Sequence, residues 1–337
     1  MPEFEITDDG VLRKYNGRNP DVVIPDMLIH IGAHAFANCE FIKSVTFPDS
    51  VVHIRKCAFQ NCRNLEQVIL PDYLADIGEG AFCQCKSLKK VIFPKRLEKI
   101  SRHAFLGCAR LEQAVLPDSI VEIEQGAFHG CERLTSVRLP KFLTELQIDT
   151  FNYCTALSEI EIPETVTRIE SKAFYDCKSL SELHLPDGLE FLSSDAVDDG
   201  HLCRFAYRDI KFTNKGNIST CLYMISSHKF SVRHPIAEKV SILIQMYHQN
   251  PEDNSMLLYL KEQFPEIIRP LIDENQAELI REVIHTGQMI QKENIDEFIR
   301  YAIEKQSYET QVLLTNYKSE QFGFESIEEK TNRLLLE

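Results

Sequence analysis

Prolines stand at Pro25, Pro48, Pro71, Pro94, Pro117, Pro140, Pro163 and Pro186, an unbroken step of 23 residues. Phenylalanines keep the same step at Phe36, Phe59, Phe82, Phe105, Phe128, Phe151 and Phe174. So do cysteines at Cys39, Cys62, Cys85, Cys108, Cys131, Cys154 and Cys177. Three unlike residue types holding one period across 24–200 leave few folds open. A fixed period in the twenties is the signature of a solenoid, in which each repeat is one coil stacked on the next.

The coil reads clearly over 36–58. Phe36 and Cys39 point inward, followed by Ile42, Val45 and Phe47. Val45 and Phe47 alternate with Ser44 and Thr46, the pattern of a half-buried strand. Pro48 ends that strand because it has no N–H for a ladder. Asp49 and Ser50 turn the chain, Val51 and Ile54 form a second short extended piece, and Ala58 with Phe59 closes the coil. Successive strands are expected in a parallel ladder about 4.8 Å apart.

Ala81, Phe82, Cys85, Leu88, Val91, Phe93, Pro94, Leu97 and Ile100 give one full copy of the pattern. It resembles the BspA-like class of bacterial leucine-rich repeats, over a little more than half of the chain. The resemblance implies a curved solenoid that binds other molecules, and many such proteins are secreted or surface-attached, in adhesion or host contact.

Residues 1–24 read as an N-terminal cap. Phe4 and Ile6 alternate, Asp9-Gly10 turns, Val11 to Tyr15 returns, Asn16-Gly17 turns again, and 22–24 leads into the first repeat. At the far end Val197 and Gly200 stand where Phe and Cys are due. Residues 201–234 read as a C-terminal cap and connector, with strands at 210–212 and 220–225 and a turn at Gly216-Asn217. From Pro235 the apolar period becomes helical. Ile236, Val240, Leu243 and Ile244 share a face, Pro251 suits a helix start, and Pro265 and Pro270 break or restart helices. Further stripes comprise Leu279, Ile280, Val283 and Ile284, then Ile295, Phe298, Ile299, Ala302 and Ile303, then Val312, Leu313 and Tyr317, before a polar tail with Leu334 to Leu336. The piece 277–318 is faintly similar to degenerate ankyrin-like repeats without their Thr-Pro-Leu-His signature. The fold class is therefore α+β multidomain: a leucine-rich-repeat β-solenoid of about eight 23-residue coils (25–200), then an α-helical domain (235–337).

Net charge is −14. From Pro235 onward there are 10 basic and 19 acidic residues, and 27 and 32 before it, so both parts are acidic. That argues against nucleic acid or an anionic membrane as partner. No apolar run reaches the roughly 20 residues of a membrane helix. The acidic N-terminus lacks the basic and apolar regions of an export signal, and a column of buried free thiols suits a reducing compartment. The expected location is cytoplasmic, with cell surface or secreted as the alternative if an upstream signal was removed.

No motif carries catalysis: there is no phosphate loop, nucleophile elbow or His-Glu-x-x-His. His34, Cys57, Gly80 and His103 share a repeat position, yet the interrupting glycine speaks against zinc, and Cys83-x-Cys85 and His201-x-Cys203 are weak pairs. Catalytic, cofactor and metal residues are all expected to be none. The informative surface is the outward strand face. There Ile69, Ile92 and Val115 form an apolar stripe, with Arg138 beside it and Glu161 beyond. A rimmed apolar patch on a wet face is the pattern of a protein-binding site. The expected function is a non-enzymatic interaction module taking an unknown protein or peptide on its concave strand face. The alternatives are a secreted or surface adhesin contacting host molecules, and an enzyme with a site at the 195–235 junction.

Overall fold

The computed structural model describes residues 2–198, 204–213, 220–221, 224–225, 229–230, 234–287 and 289–323. His201, Cys203, Gly216, Asn217, Gly200 and Leu334 to Leu336 lie outside them. The chain divides into two compact units, Met1–Ser219 and Thr220–Glu337.

The first unit is the β-solenoid. Within each coil a three-residue strand carries one inward aliphatic between two outward residues, as Lys90–Ile92 does around Val91. Seven such strands form one parallel sheet: Asp21–Val23, Ser44–Thr46, Gln67–Ile69, Lys90–Ile92, Gln113–Val115, Ser136–Arg138 and Glu159–Glu161. Proline then turns the chain, and the Leu97 N–H donates to the Pro94 carbonyl at 3.3 Å. Two-residue strands such as Lys99–Ile100 make the second wall. A third ladder forms where the sequence shows only turns: the Phe59 N–H donates to Ala81, Phe82 to Ala104 and Phe105 to Ala127, at 2.7–2.8 Å.

Inside, the periodic residues touch their own kind. The rings from Phe36 to Phe174 stack face to face, centroids 4.7–5.8 Å apart and planes within 13°. Tyr15 closes one end of this stack on Phe36, and Val197 bridges to Phe174 at the other. The cysteines do more than fill space. Cys62 Sγ donates to the carbonyl of Phe36 in the preceding coil at 3.2 Å, and Cys85, Cys108, Cys131, Cys154 and Cys177 repeat that bond at 3.1–3.4 Å. A thiol is a small apolar group with one weak donor, which is what a buried carbonyl here accepts. Cys39, in the first coil, is half-buried. All ten cysteines among the described residues are free, and burial pushes the Cys85 and Cys131 thiols well above their ordinary range.

Each end of the solenoid carries an antiparallel hairpin. Phe4–Ile6 pairs with Val11–Tyr15, which joins His30–Ile31 in the short-strand wall. At the other end Arg204–Tyr207 extends the strand Glu182–Leu185 and folds back on Ile210–Thr213. Arg208 and Asp209 both have positive φ, as a two-residue type I′ turn requires.

The second unit holds helices α1 (Ile236–Gln249), α2 (Ser255–Glu262), α3 (Phe264–Asp273), α4 (Ala277–Gly287), α5 (Ile295–Glu304) and α6 (Tyr308–Phe322). Thr220, Cys221, Met224 and Ile225 are helical, so the strand expected over 220–225 does not form. Pro251 sits in a turn ahead of α2, and Pro270 lies inside α3. Ile303 and Val312, expected on buried stripes, are exposed. Helices α3 and α5 end alike. The Asn275 N–H reaches the Ile272 carbonyl and Gln276 reaches Leu271; 31 residues on, Gln306 reaches Ile303 and Ser307 reaches Ala302. With Asn275 and Gln306 at positive φ, both are Schellman caps that reverse the chain into a helix hairpin.

Phe105 is fully buried, stacked on Phe82 and Phe128, with Phe93 edge-on at 5.7 Å. Phe105→Ala should cost about 3–5 kcal/mol, read as a lower denaturant midpoint. An unchanged midpoint would contradict the stacked core.

Candidate binding face

Every candidate residue of the binding face sits on the long-strand sheet. Ile69, Ile92 and Val115 are 59%, 44% and 63% exposed. Ile69 pairs across the ladder with Ile92, and Val115 with Arg138 and Arg138 with Glu161. The alternation that buries Val68, Val91 and Ala114 turns these side chains outward. Two hollows lie on this face. One, about 950 Å³, is lined by residues including Lys43, Lys90, Ile92, Gln113 and Val115. The other, about 910 Å³, is lined by Val115, Arg138, Lys141, Glu159, Glu161 and neighbours. Val115 borders both, so the stripe runs from one into the other.

The charged residues differ in how far they are committed. Arg138 bends back on the preceding coil: Nη1 donates to the Leu116 carbonyl at 2.6 Å and Nη2 to Asp118 at 2.7 Å. Burial opposes ionisation of Asp118, but the Lys141 N–H and the Arg138 guanidinium outweigh it and hold its carboxyl below the usual range. Lys89 pairs with Glu66 at 3.5 Å. Glu159 and Glu161 are exposed and have no ion-pair partner among the described residues. The alternation identifies the stripe in the sequence; the tether of Arg138 depends on the height of one coil and does not show there.

The position shared by His34, Cys57, Gly80 and His103 has a backbone purpose. All four have φ between 53° and 61°, and Gly126, Asp149 and Lys172 continue the column. A second left-handed column runs through Asn38, Asn61, Gln84, Gly107, Gly130, Tyr153 and Asp176. These are corners of the coil, where Gly, Asn, Asp and His carry the least strain. At Gly126 the absent Cβ also leaves room for the His103 ring, whose Cδ2 would lie 2.6 Å from it. Among the described residues, no group of three or more His, Cys, Asp or Glu is arranged to hold a metal ion.

One cluster escaped the sequence reading. In the helical unit Cys221 Sγ lies 3.3 Å from His234 Nε2, and Glu238 lies 3.6 Å from the same nitrogen. The imidazole is fully buried. Burial, with the Glu238 charge behind it, drives the thiol well above its ordinary range. A cysteine nucleophile needs the opposite, a thiolate within reach of substrate.

Against known sequences, the pattern of the BspA type leucine rich repeat region matches six copies over residues 15–120 and 99–226. The chain belongs to the BspA-type leucine-rich-repeat family. Among solved structures, this BspA-type chain is similar to the leucine-rich repeat protein of T. pallidum. Identity is 34% and the TM-score 0.51, with 52% of this chain and 86% of that one covered. A leucine-rich repeat protein from Eubacterium ventriosum matches at 27% identity and TM-score 0.47, covering 50% and 46%. One from Bacteroides ovatus matches at 25% and 0.43, covering 55% and 58%. All three sources are bacteria, and the chain spans about half the length of the last two. No curated protein matches.

Three partly buried histidines of the BspA-type solenoid also set a pH response, and of these His103 stands at a left-handed corner. Burial lowers the pKa of His30, His103 and His129; Arg55 and His53 add to it at His30, and Arg102 and His129 at His103. The folded state therefore binds fewer protons than the unfolded chain once pH drops through the ordinary imidazole value of about 6.5. Stability from these groups is complete above that pH and is lost below it. The melting temperature should fall between pH 7.5 and 5.5, and His103→Asn, which tolerates the left-handed corner, should shrink the drop. An equal drop in the variant would contradict the assignment.

Proposed function

We propose that this BspA-type protein is a non-enzymatic interaction module whose long-strand face binds a protein or peptide. The observation that supports it is the aliphatic stripe of Ile69, Ile92 and Val115, exposed on successive strands, with Ile92 and Val115 lining the first hollow and Val115 also the second. β-Branched residues suit any strand, but three exposed in a row leave apolar area whose burial an interface gains. Leucine-rich-repeat solenoids are typically protein-interaction proteins without catalytic activity, in keeping with this reading. In this reading 1–24 and the hairpin of Arg204–Tyr207 and Ile210–Thr213 cap the binding unit, and the helical unit from Thr220 binds or assembles separately.

Free buried thiols in nearly every coil suit a reducing compartment. No helix among the described residues is long and apolar enough to cross a membrane. Many BspA-type proteins are surface-associated, and an adhesin is the second reading; it uses the same face.

Ile92→Asp should weaken a partner captured by the full chain by roughly 2 kcal/mol or more, or about 30-fold, with the melting curve preserved. Val121→Asp, at a 62% exposed aliphatic residue off this face, should leave binding unchanged. Binding lost in Val121→Asp and kept in Ile92→Asp would move the contact elsewhere.

A further inference from the structure

Lengthwise, the binding face is electrically uneven. Toward one end Lys43, just ahead of the strand Ser44–Thr46, has no carboxylate partner among the described residues; it borders the first hollow, as do Lys90, on the strand of Ile92, and Glu112. In the middle stand Ile69, Ile92 and Val115. At the other end Glu159 and Glu161 point outward from one strand into the second hollow. The nearby cations are already engaged: Arg138 and Lys141 with Asp118, at 2.7 and 3.8 Å. His184 is 3.5 Å from Glu182, and Arg204 stands opposite Glu182 in the ladder rather than opposite Glu159 or Glu161. Two adjacent, solvated, uncompensated carboxylates beside an apolar stripe ask for cations from outside the chain.

Resting on the proposed use of this face, we infer that its partner is an extended, polar-ended peptide segment: aliphatic side chains on Ile69, Ile92 and Val115, then Lys or Arg on Glu159 and Glu161. The spacing follows from the ladder. Lys90–Ile92 and Glu159–Glu161 are three strand steps apart, roughly 14 Å, which about four to five residues of extended chain span. Binding has one direction. A segment laid the other way would carry its basic residues away from Glu159 and Glu161 and toward Lys43, losing the charge pairs. Acidic polymers meet the same carboxylates and are rejected too.

The probe is a phage-displayed library of random 12-residue peptides selected on the full chain at low salt. Enriched peptides should carry Lys or Arg about four to five residues from an aliphatic pair. A synthetic copy of the best one should lose at least tenfold in affinity against the double variant Glu159→Lys/Glu161→Lys, and weaken with added salt. It should also weaken against Ile92→Asp. Both variants change exposed residues, and circular dichroism melts check that they fold. Loss with Ile92→Asp but none with the charge reversal, or enriched peptides without basic residues, would overturn this inference and leave the face reading standing. Loss with neither variant would place the peptide elsewhere and overturn both.

Discussion

A 23-residue coil cannot bury its own apolar side, and that shortfall shapes the repeat unit. Phe105 reaches full burial only because Phe82 and Phe128 lie against its two faces. The carbonyl of Phe82 is satisfied partly by a thiol belonging to the next coil, Cys108. Each coil thus completes its neighbour, and stability is a sum of nearest-neighbour interfaces. The strict period follows, since one inserted residue would turn an inward side chain outward along the strand. The two ends have a neighbour on one side only. There Tyr15 and Val197 stand in for the missing ring, and hairpins take up the strand edges.

The face of the sheet inherits this discipline. Because the inward residue of every strand is fixed, its two outward neighbours are held in straight columns about 4.8 Å apart. Side chains that no core demands then become a readable surface. Ile69 and Ile92 pair across the ladder and face solvent, and Glu159 and Glu161 both face outward from one strand. Arg138 shows the opposite case, a surface charge recruited to bind one coil to the next through Leu116 and Asp118.

How much of this could be read in advance follows the same physics. Columns occupied by one residue type, the prolines, phenylalanines and cysteines, announce themselves and bring the coil with them. The corner columns do not: His34, Cys57, Gly80 and Asp149 share only a backbone conformation. Residue types that tolerate left-handed φ are several, so position rather than chemistry is conserved from coil to coil. The exposure of Ile69, Ile92 and Val115 was legible because alternation assigns sides of a strand. The Cys221, His234 and Glu238 cluster was not, because Cys221 and His234 are 13 residues apart and meet only through tertiary packing. In the helical unit the apolar stripes located α1, α4 and α5, but exposed Ile303 and Val312 show that periodicity alone overstates burial.

Nearest-neighbour stabilisation makes the coils interchangeable units. It is tested most directly by excising one. Deleting residues 94–116 joins Phe93 to Pro117 and keeps the period; deleting 94–105 removes half a coil and breaks it. The whole-coil deletion should give a folded, protease-resistant protein with one cooperative repeat-unit melt at a modestly lower temperature, and the half-coil deletion should lose that transition. Equal loss of structure in both, seen by circular dichroism and limited proteolysis, would contradict it.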